Sequence, residues 1–338
     1  MNKLNCERTM FFGLDETKQN ELATMRISAP DTEKEMGRLR NRIETQQKTL
    51  NLVEKQLPAK TDVPEWGSNK WKEEINRFLR SIGINRWGVS PVLKQYAYKN
   101  AFLFDYEEKA IVIVMPMKYE IMKNAPSPES LVEIFKAYAD AGEAVLKLTK
   151  WLKEHGVNAR GHHPLGDIHQ YHHLLMPPHA VYAGLGEQGR TGLFIDFELG
   201  SLVRLGIVTT NLDLKIGSPR EKGIRIFCHR CKLCAVNCPV NAIPMEGVLD
   251  QYFKGVKIKF KINGDRCIKY FEKKYGCSIC ISTCIFAEQN PVKLKRRMKR
   301  IEEWYNRWII TGDFEELLVK EAHKMGKKLF LEKKGNTY

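Results

Sequence analysis

The stretch Cys228-His-Arg-Cys231-Lys-Leu-Cys234-Ala-Val-Asn-Cys238-Pro239 decides the fold, because it has the cysteine spacing of a bacterial [4Fe–4S] ligand run. A second run supplies four more cysteines: Cys267, Cys277, Cys280 and Cys284. In such runs the fourth cysteine ligates the other cluster. The spacing therefore predicts two [4Fe–4S] clusters with crossed ligation. One cluster is expected to take Cys228, Cys231, Cys234 and Cys284, and the other Cys238, Cys267, Cys277 and Cys280.

The second run departs from the usual form without losing a ligand. Nine residues separate Cys267 from Cys277, and Ile285 stands where a proline is usual. A pair of zinc ribbons is the alternative, but those sites use C-x2-C pairs with longer spacers, which the first run lacks. Structural disulfides are less favoured, because a chain of 338 residues can bury a core without them.

Composition bounds the class of protein and its partners. With 43% hydrophobic residues and no apolar run long enough to span a membrane, the chain reads as a cytoplasmic globular protein. Its net charge of +15 is partly local, in residues 254 to 274 and 291 to 338. These stretches could receive an acidic electron donor of the ferredoxin or flavodoxin type, or bind RNA phosphates. A plain solvated basic surface is the third reading.

The hydrophobic pattern divides the chain into four predicted parts. They are a helical extension and linker (1–66), an α/β domain (67–215), a double [4Fe–4S] domain (216–290) and a basic helical tail (291–338). The extension contains an amphipathic helix over 31–57, which is expected to pack on the body or to form a homodimer with a second copy.

The fold class expected is α/β (α+β), a mixed-sheet domain followed by a bacterial ferredoxin-like double-cluster domain. Ala110 to Met115 predict a buried strand, and Ser127 with Pro128 predicts the start of a long helix. Residues 193 to 210 predict an antiparallel hairpin.

A glycine-rich loop precedes that hairpin: Ala183-Gly184-Leu185-Gly186-Glu187-Gln188-Gly189-Arg190-Thr191-Gly192. Four glycines in this loop mean sharp turns or close approach of the backbone to another group. The G-x-G-x-x-G match is not interpreted as a dinucleotide fingerprint, because it lacks a preceding strand, a long following helix and a later acidic residue.

Taken together, the A-G-L-G-E-x-x-R-x-G loop, the G-S-x-V-R-L-G-x-V-T-T-x-L segment from Gly200 to Leu212 and the two cysteine runs resemble the cobalamin-dependent iron–sulfur reductases. That group includes reductive dehalogenases and epoxyqueuosine reductases, and the resemblance covers roughly residues 70 to 290. Glu187 and Arg190 follow the dehalogenase form of the loop. Asp167 is the nearest counterpart of an acidic residue that the tRNA enzymes carry upstream.

The resemblance implies a base-off cobalamin between the α/β domain and the cluster domain, where it would receive electrons and cleave a substrate bond reductively. The loop and hairpin would hold this corrinoid, through residues Gly184, Gly186, Glu187, Gly189, Gly192, Gly200, Arg204 and Thr209. For catalysis the expected residues are Tyr138, as proton donor, and Arg190, as the cation beside it.

Three functions follow as expectations. The first is a dehalogenase-like reductase acting on a small molecule, the second is epoxyqueuosine reduction on tRNA, and the third is a non-catalytic electron carrier or corrinoid activator. Seven histidines between His155 and His179 are either a further metal site or hydrogen-bonding partners.

Overall fold

The structure is a computed structural model that describes residues 30–56, 63–99, 101–169, 171–246, 248–252, 255–288 and 290–311. The predictions for the first 29 residues, for Leu57 and for the tail after residue 311 lie outside these ranges.

The α/β part is a small sheet covered by helices on both faces. Its helices are α1 (Pro30–Lys55), α2 (Ser68–Ser81), α3 (Tyr119–Met122), α4 (Pro128–Glu154) and α5 (Met176–Tyr182). Its strands are β1 (Trp87–Pro91), β2 (Lys109–Pro116), β3 (Ala159–His162), β4 (Gly186–Gln188), β5 (Phe194–Asp196) and β6 (Val203–Thr210).

The main sheet has the strand order β1-β2-β6-β3, and every neighbouring pair is antiparallel. Strand β2 is buried as predicted, and its alternate side chains enter two cores: Ile111 and Ile113 face α4, whereas Val112 and Val114 face α5. The mixed α/β class is therefore confirmed, but the expected mixed sheet is antiparallel.

Helix α4 begins where the sequence predicts. Ser127 and Ser130 form a reciprocal capping box, and Pro128 occupies the first turn. The helix lies close on β6, because Gly206 has no side chain there: a Cβ would stand 2.6 Å from Val145 Cγ2. This contact fixes the distance between α4 and the middle of the sheet.

Helix α1 packs along α4 and against β3. Its apolar residues are buried on the body, among them Met36, Leu39 and Leu50. This arrangement is one of the two roles expected for the helix, and it covers the apolar face that a second copy would use.

The predicted hairpin over residues 193 to 210 is wrong. Strand β5 pairs with β4 in a separate two-stranded sheet, while β6 lies between β2 and β3 in the main sheet. The two strands separate because β6 finds longer apolar partners in β2 and β3, and β5 pairs back on the glycine loop.

The cysteine-rich part contains short elements: α6 (Ile224–Cys231), α7 (Leu233–Val236), β7 (Val248–Tyr252), β8 (Gly255–Lys259), α8 (Gly264–Lys273) and α9 (Ile279–Ser282). Helix α10 (Pro291–Thr311) follows, as the periodicity predicts, and buries Leu294, Met298 and Trp304 against α6 and its neighbours. The alternating segment 256 to 262 is a strand up to Lys259, and the side chains of β8 lie outside the description.

Candidate functional site

The fold gathers the cysteine thiols into two groups. Burial raises the pKa of Cys228, and the nearby thiols of Cys231 and Cys284 raise it further. The pKa of Cys234 is raised by burial and then by Cys228 and Cys284. The Cys280 thiol of the second run contributes as well, ahead of Cys231, so the two sets of thiols adjoin each other.

The second group is built in the same way. Burial raises the pKa of Cys267 to about 11, with further contributions from Cys277 and Cys238. The pKa of Cys280 is raised by burial and then by Cys267, Cys277 and Cys238. Cys238 thus lies near thiols of the second run, although it belongs to the first run in sequence.

The two runs share one local backbone geometry. In each, a residue with positive φ stands directly after a cysteine and directly before a four-residue helix that carries the next one: Lys232 before α7 and Ser278 before α9. Helices α7 and α9 pack on each other. Among the described residues, every non-glycine residue with positive φ lies between Lys232 and Ser278. Strain of this kind persists where a bound group over-determines the loop.

Backbone amides point at sulfur in both groups of thiols. The Ala242 N–H lies 3.2 Å from Cys238 Sγ and donates to it. A backbone hydrogen bond from Ile279 lowers the pKa of Cys277, against the larger opposite effect of burial. Hydrogen bonds to sulfur are one of the means by which proteins stabilise iron–sulfur clusters. The donor set, the turns and the amides fit two [4Fe–4S] clusters.

The glycine loop holds the cluster region through Glu187. This buried carboxylate accepts hydrogen bonds from the amides of Lys222 and Arg225, at 2.6 and 3.2 Å. These amides lie at the start of α6, the helix that carries Cys228 and Cys231. Burial raises the pKa of Glu187, and the amides oppose that rise. Glu187 therefore caps the helix that carries Cys228 and Cys231.

Arg190 has the same structural role at the other end of this helix. Its guanidinium is 1% exposed and stacks on Phe260 at 4.4 Å. It donates at 2.6 to 2.9 Å to four backbone carbonyls of the cluster region, those of Cys228, His229, Pro244 and Met245. The expected pairing of Arg190 with Tyr138 is thus wrong, because its donors are used within the cluster region.

The glycines of this part also pack on the protein itself. A Cβ at Gly186 would stand 2.0 Å from the Ile195 carbonyl oxygen, and one at Gly200 would stand 1.9 Å from that of Phe286. Gly184 and Gly192 have positive φ, and a Cβ at Gly189 would meet the Ile195 side chain at 2.7 Å. These close approaches and positive φ angles explain why glycines stand at these positions, and the contact of the loop with a corrinoid stays a prediction.

Arg204 is the cation that the structure brings to Tyr138. Its guanidinium carbon lies 4.8 Å from the centre of the Tyr138 ring. Arg204 stands on β6 opposite Met115, and Tyr138 stands on α4. The Nε of Arg204 is buried and has no hydrogen-bond partner among the described residues. A buried donor without an acceptor is a rare feature, and it fits a polar group brought by a ligand.

The surroundings of Tyr138 connect this pair to the cysteines. Tyr138, Cys280 and Cys284 are partly buried against the same apolar cluster, which includes Leu131 and Ile281. One residue from each thiol group is therefore packed into the cluster that surrounds the proposed proton donor.

Thr209 lies at the other end of β6, in a closed polar network. Its hydroxyl donates to Glu107 at 2.6 Å, and His162 Nε2 lies 3.0 Å from the same carboxylate. Arg160 also donates to Glu107, at 3.2 Å. Burial opposes ionisation of Glu107, but His162, Thr209 and Arg160 outweigh it and lower its pKa to about 2. Thr209 is thus bonded to protein rather than free for a corrinoid, and sequence reasoning missed Glu107.

The histidines between 155 and 179 have protein partners. His163 lies 3.2 Å from Gln46 Oε1, and His179 accepts from the Leu93 amide. Several of them line a polar cavity of about 70 Å³ between α1, β3 and the following loop. Burial lowers the pKa of His163 to about 3 and that of His179 to about 4. His163 and His179 therefore act as neutral hydrogen-bonding groups.

The described ranges hold neither a compact set of ligands for one metal ion nor a helix that could span a membrane. No three His, Cys, Asp or Glu side chains there are close enough to ligate one metal ion together. The thiolates of a cuboidal cluster bind different iron atoms and stand farther apart than the ligands of one ion. No helix in the same ranges combines the length and hydropathy needed to cross a bilayer.

Comparison with known proteins agrees with the motifs. No protein-family model matches the chain. The tetrachloroethene reductive dehalogenase of Desulfitobacterium hafniense is 29% identical over 265 residues, which are 69% of this chain and 44% of that protein. An epoxyqueuosine reductase of Vibrio cholerae is 32% identical over 122 residues, 33% of this chain and 30% of the enzyme. The chain spans less than half the length of the dehalogenases it matches.

The fold is also shared with solved structures. A reductive dehalogenase whose structure suggests a mechanism for B12-dependent dehalogenation superposes with a TM-score of 0.65 at 20% identity, covering 82% of this chain and 40% of its own. This likeness shows the fold. The resemblance seen in the motifs is confirmed: the chain is a homologue of the reductive dehalogenases and epoxyqueuosine reductases, which are oxidoreductases.

Proposed function

We propose that this protein is a reductase in which two [4Fe–4S] clusters deliver electrons to a base-off cobalamin, which reductively cleaves a bond of a small molecule. The observation that supports the proposal is that Tyr138, with Arg204 over its ring, packs into the same apolar cluster as Cys280 and Cys284. Cys228, Cys231, Cys234 and Cys284 hold one cluster, and Cys238, Cys267, Cys277 and Cys280 hold the other, in a bacterial ferredoxin-like domain.

The roles of the chain's residues follow from their surroundings. Cobalamin, when bound, supplies the strongly reducing centre that the reaction needs. Tyr138 gives the proton of its Oη to the reduced carbon of the substrate. Arg204 lies over the ring and stabilises the negative charge left on the phenol oxygen. Its unpaired Nε binds a polar group of the ligand. Glu187 and Arg190 hold the cluster segment in place.

A dehalogenase-like reaction is favoured over epoxyqueuosine reduction by the extent of the likeness. The match to the tetrachloroethene reductive dehalogenase covers 69% of the chain, against 33% for the epoxyqueuosine reductase. The Glu187 and Arg190 positions of the loop also follow the dehalogenase form. The basic segments favour the tRNA alternative, since they could bind phosphates.

The third possibility is a protein without catalysis, either an electron carrier or an activator of another protein's corrinoid. The unpaired buried donor of Arg204 argues against it, because a carrier needs no ligand at this place. Anaerobic reconstitution with iron, sulfide and cobalamin separates these functions. The proposal expects about eight irons and one cobalt bound per chain; eight irons without cobalt would support the carrier.

Reconstituted protein is then given tetrachloroethene or an epoxyqueuosine-modified tRNA stem loop, with a low-potential reductant. Chloride release supports the dehalogenase-like reaction, and loss of the epoxide supports the alternative. Cobalt binding without turnover of either compound would leave the corrinoid reductase in place and remove both of these substrates.

The cluster assignment is tested with Cys284→Ala. The expected result is loss of about half of the iron, since Cys284 serves only one of the two clusters. Cys6→Ala is the matched control, because Cys6 belongs to neither run, and it should keep the full iron content. An unchanged iron content in Cys284→Ala would refute the crossed ligation.

The proton donor is tested with Tyr138→Phe, which keeps the ring over which Arg204 lies. Turnover should fall by about 100-fold or more, with cobalt and iron contents unchanged. Tyr182→Phe is the control, because Tyr182 packs at the end of α5 beside Leu93 and Tyr96. Full activity in Tyr138→Phe would remove its role.

A further inference from the structure

We propose that the exposed face of α8 is the docking surface for an acidic one-electron donor protein, and that electrons enter at the cluster held by Cys267. The inference rests on the proposed function, whose electron entry point it names. In each encounter the donor is oxidised by one electron and the cluster is reduced by one. No bond is made or broken.

The first observation is the accessibility of one cluster ligand. As a residue of α8, Cys267 is exposed, although its thiol is partly enclosed, whereas Cys228 is buried and the other six cysteines of the two runs are intermediate. Electron transfer slows steeply as the distance between donor and acceptor grows. Of the described thiols, Cys267 therefore brings its cluster nearest to a partner on the surface.

The second observation is the charge around Cys267. Five exposed cations lie on α8 or within three residues of it: Lys261, Arg266, Lys269, Lys273 and Lys274. Arg266, Lys269 and Lys273 follow each other at helical spacings of three and four, so they share one face, which adjoins the face of Cys267. The same segment contains two acids, Asp265 and Glu272. None of the five cations forms an ion pair with another described residue.

These cations are available to a partner of opposite charge. A cationic patch raises the rate of encounter with an acidic protein, and it does so most strongly at low ionic strength. The combination of an unpaired basic face with an exposed cluster ligand fits an acidic electron carrier better than a nucleic acid. The aromatic residues of α8, Tyr270 and Phe271, are partly buried, whereas sequence-tolerant RNA binding uses exposed rings for stacking.

The test reverses two charges on this face, in the variant Arg266→Glu/Lys269→Glu. Its matched control is Lys72→Glu/Arg80→Glu, which changes the net charge equally on the exposed side of α2. Both proteins are reconstituted anaerobically, and their iron contents are compared first. Reduction of the clusters is then followed by stopped-flow absorbance, without any substrate turnover.

Two reductants separate docking from damage to the cluster. One is reduced flavodoxin, an acidic flavoprotein, and the other is photoreduced deazaflavin, a small neutral reductant. With flavodoxin at low salt, the α8 variant should be reduced about tenfold more slowly than the control, and the difference should shrink as salt is added. With deazaflavin, the two variants should be reduced at equal rates.

Three outcomes would overturn the proposal. Equal rates with flavodoxin would place the donor elsewhere. An equal loss of rate with both reductants would mean that the substitutions disturb the cluster. Unchanged reduction by flavodoxin together with weaker binding of a tRNA stem loop would make α8 an RNA-binding face. Normal cluster reduction without any cobalamin-dependent turnover would instead refute the proposed function and leave the docking surface intact.

Discussion

The two ends of strand β6 hold polar side chains that differ in whether their hydrogen-bonding groups have partners. At one end, the Thr209 hydroxyl belongs to a buried network in which Glu107 accepts from four groups. At the other end, Arg204 has a buried Nε without an acceptor and lies over the Tyr138 ring. Five residues at about 3.3 Å each separate the ends by roughly 17 Å.

The difference distinguishes a structural polar site from a functional one. A network whose members satisfy each other stabilises the fold and has no capacity left for a ligand. An unsatisfied buried donor costs free energy and persists where a ligand completes it. The comparison therefore predicts that substitutions at the Thr209 end change stability and that substitutions at the Arg204 end change activity.

The largest effect is expected for Glu107→Ala. The carboxylate is fully buried, and its removal leaves the Arg160 guanidinium and His162 without their shared acceptor. The loss in free energy of unfolding should be about 3 to 5 kcal/mol, as for other broken buried ion pairs. Urea denaturation measures it. The neighbouring variant Glu108→Ala is the control, since that side chain is 59% exposed and should change stability by less than about 0.5 kcal/mol.

A similarly small loss in free energy of unfolding for Glu107→Ala and Glu108→Ala would contradict the structural role of the Thr209 end. It would mean that the network can relax around a missing carboxylate, for example by a closer approach of Glu54 to Arg160.

The second-largest effect is expected for Arg204→Gln, which should lower turnover and leave stability almost unchanged. Turnover should fall about 100-fold, equivalent to about 2.7 kcal/mol of transition-state stabilisation. The free energy of unfolding should change by less than about 1 kcal/mol, because the native Nε has no acceptor to lose. Steady-state kinetics and urea denaturation of the same preparation measure the two quantities.

Arg220→Gln is the matched control for this prediction. Arg220 donates to the Gly184 carbonyl at 2.6 Å and lies over the Phe197 ring, so its loss should lower stability. Its turnover per folded molecule should stay unchanged. If Arg204→Gln behaved like Arg220→Gln, Arg204 would be a structural residue and the unpaired donor would have no function.

Local patterns in the sequence were sufficient for the elements that depend on neighbours in the chain. Ser127 and Pro128 predicted the start of α4, and the cysteine spacing predicted that thiols of the two runs would lie close together. Both depend on short-range geometry, namely a capped turn and a C-x2-C loop. The resemblance to reductive dehalogenases likewise rested on short motifs of neighbouring residues.

The assignment of the two arginines needed long-range information. Arg190 belongs to the most recognisable motif and was given the catalytic role, but its side chain turns towards the cluster region. Arg204 stands on a strand between apolar neighbours, Val203 and Leu205, and strand alternation places it on the face of Gly206. That face lies under α4, where Tyr138 stands, so alternation along β6 was the signal that could have found the pair.

Glu107 gave no signal of this kind. It lies in an irregular segment before β2, and its partners Arg160, His162 and Thr209 come from two other strands. A network assembled from separate strands depends on the sheet order β2-β6-β3, which the local pattern did not reveal. The predicted hairpin failed for the same reason.

The smallest effect concerns the dependence of stability on pH through the buried histidine His163. Burial lowers the pKa of His163 to about 3, well below its usual value of about 6.5. Between these two values the unfolded chain binds a proton that the folded protein does not, so the free energy of unfolding falls as the pH falls from about 6.5. Each such histidine contributes about 1.4 kcal/mol per pH unit to the slope.

His163→Gln should therefore reduce the slope between pH 5.0 and 6.5 by about one proton, measured by urea denaturation at several pH values. His169→Gln is the control, because its side chain is exposed, and it should leave the slope unchanged. An unchanged slope in His163→Gln would show that His163 takes up its proton in the folded state.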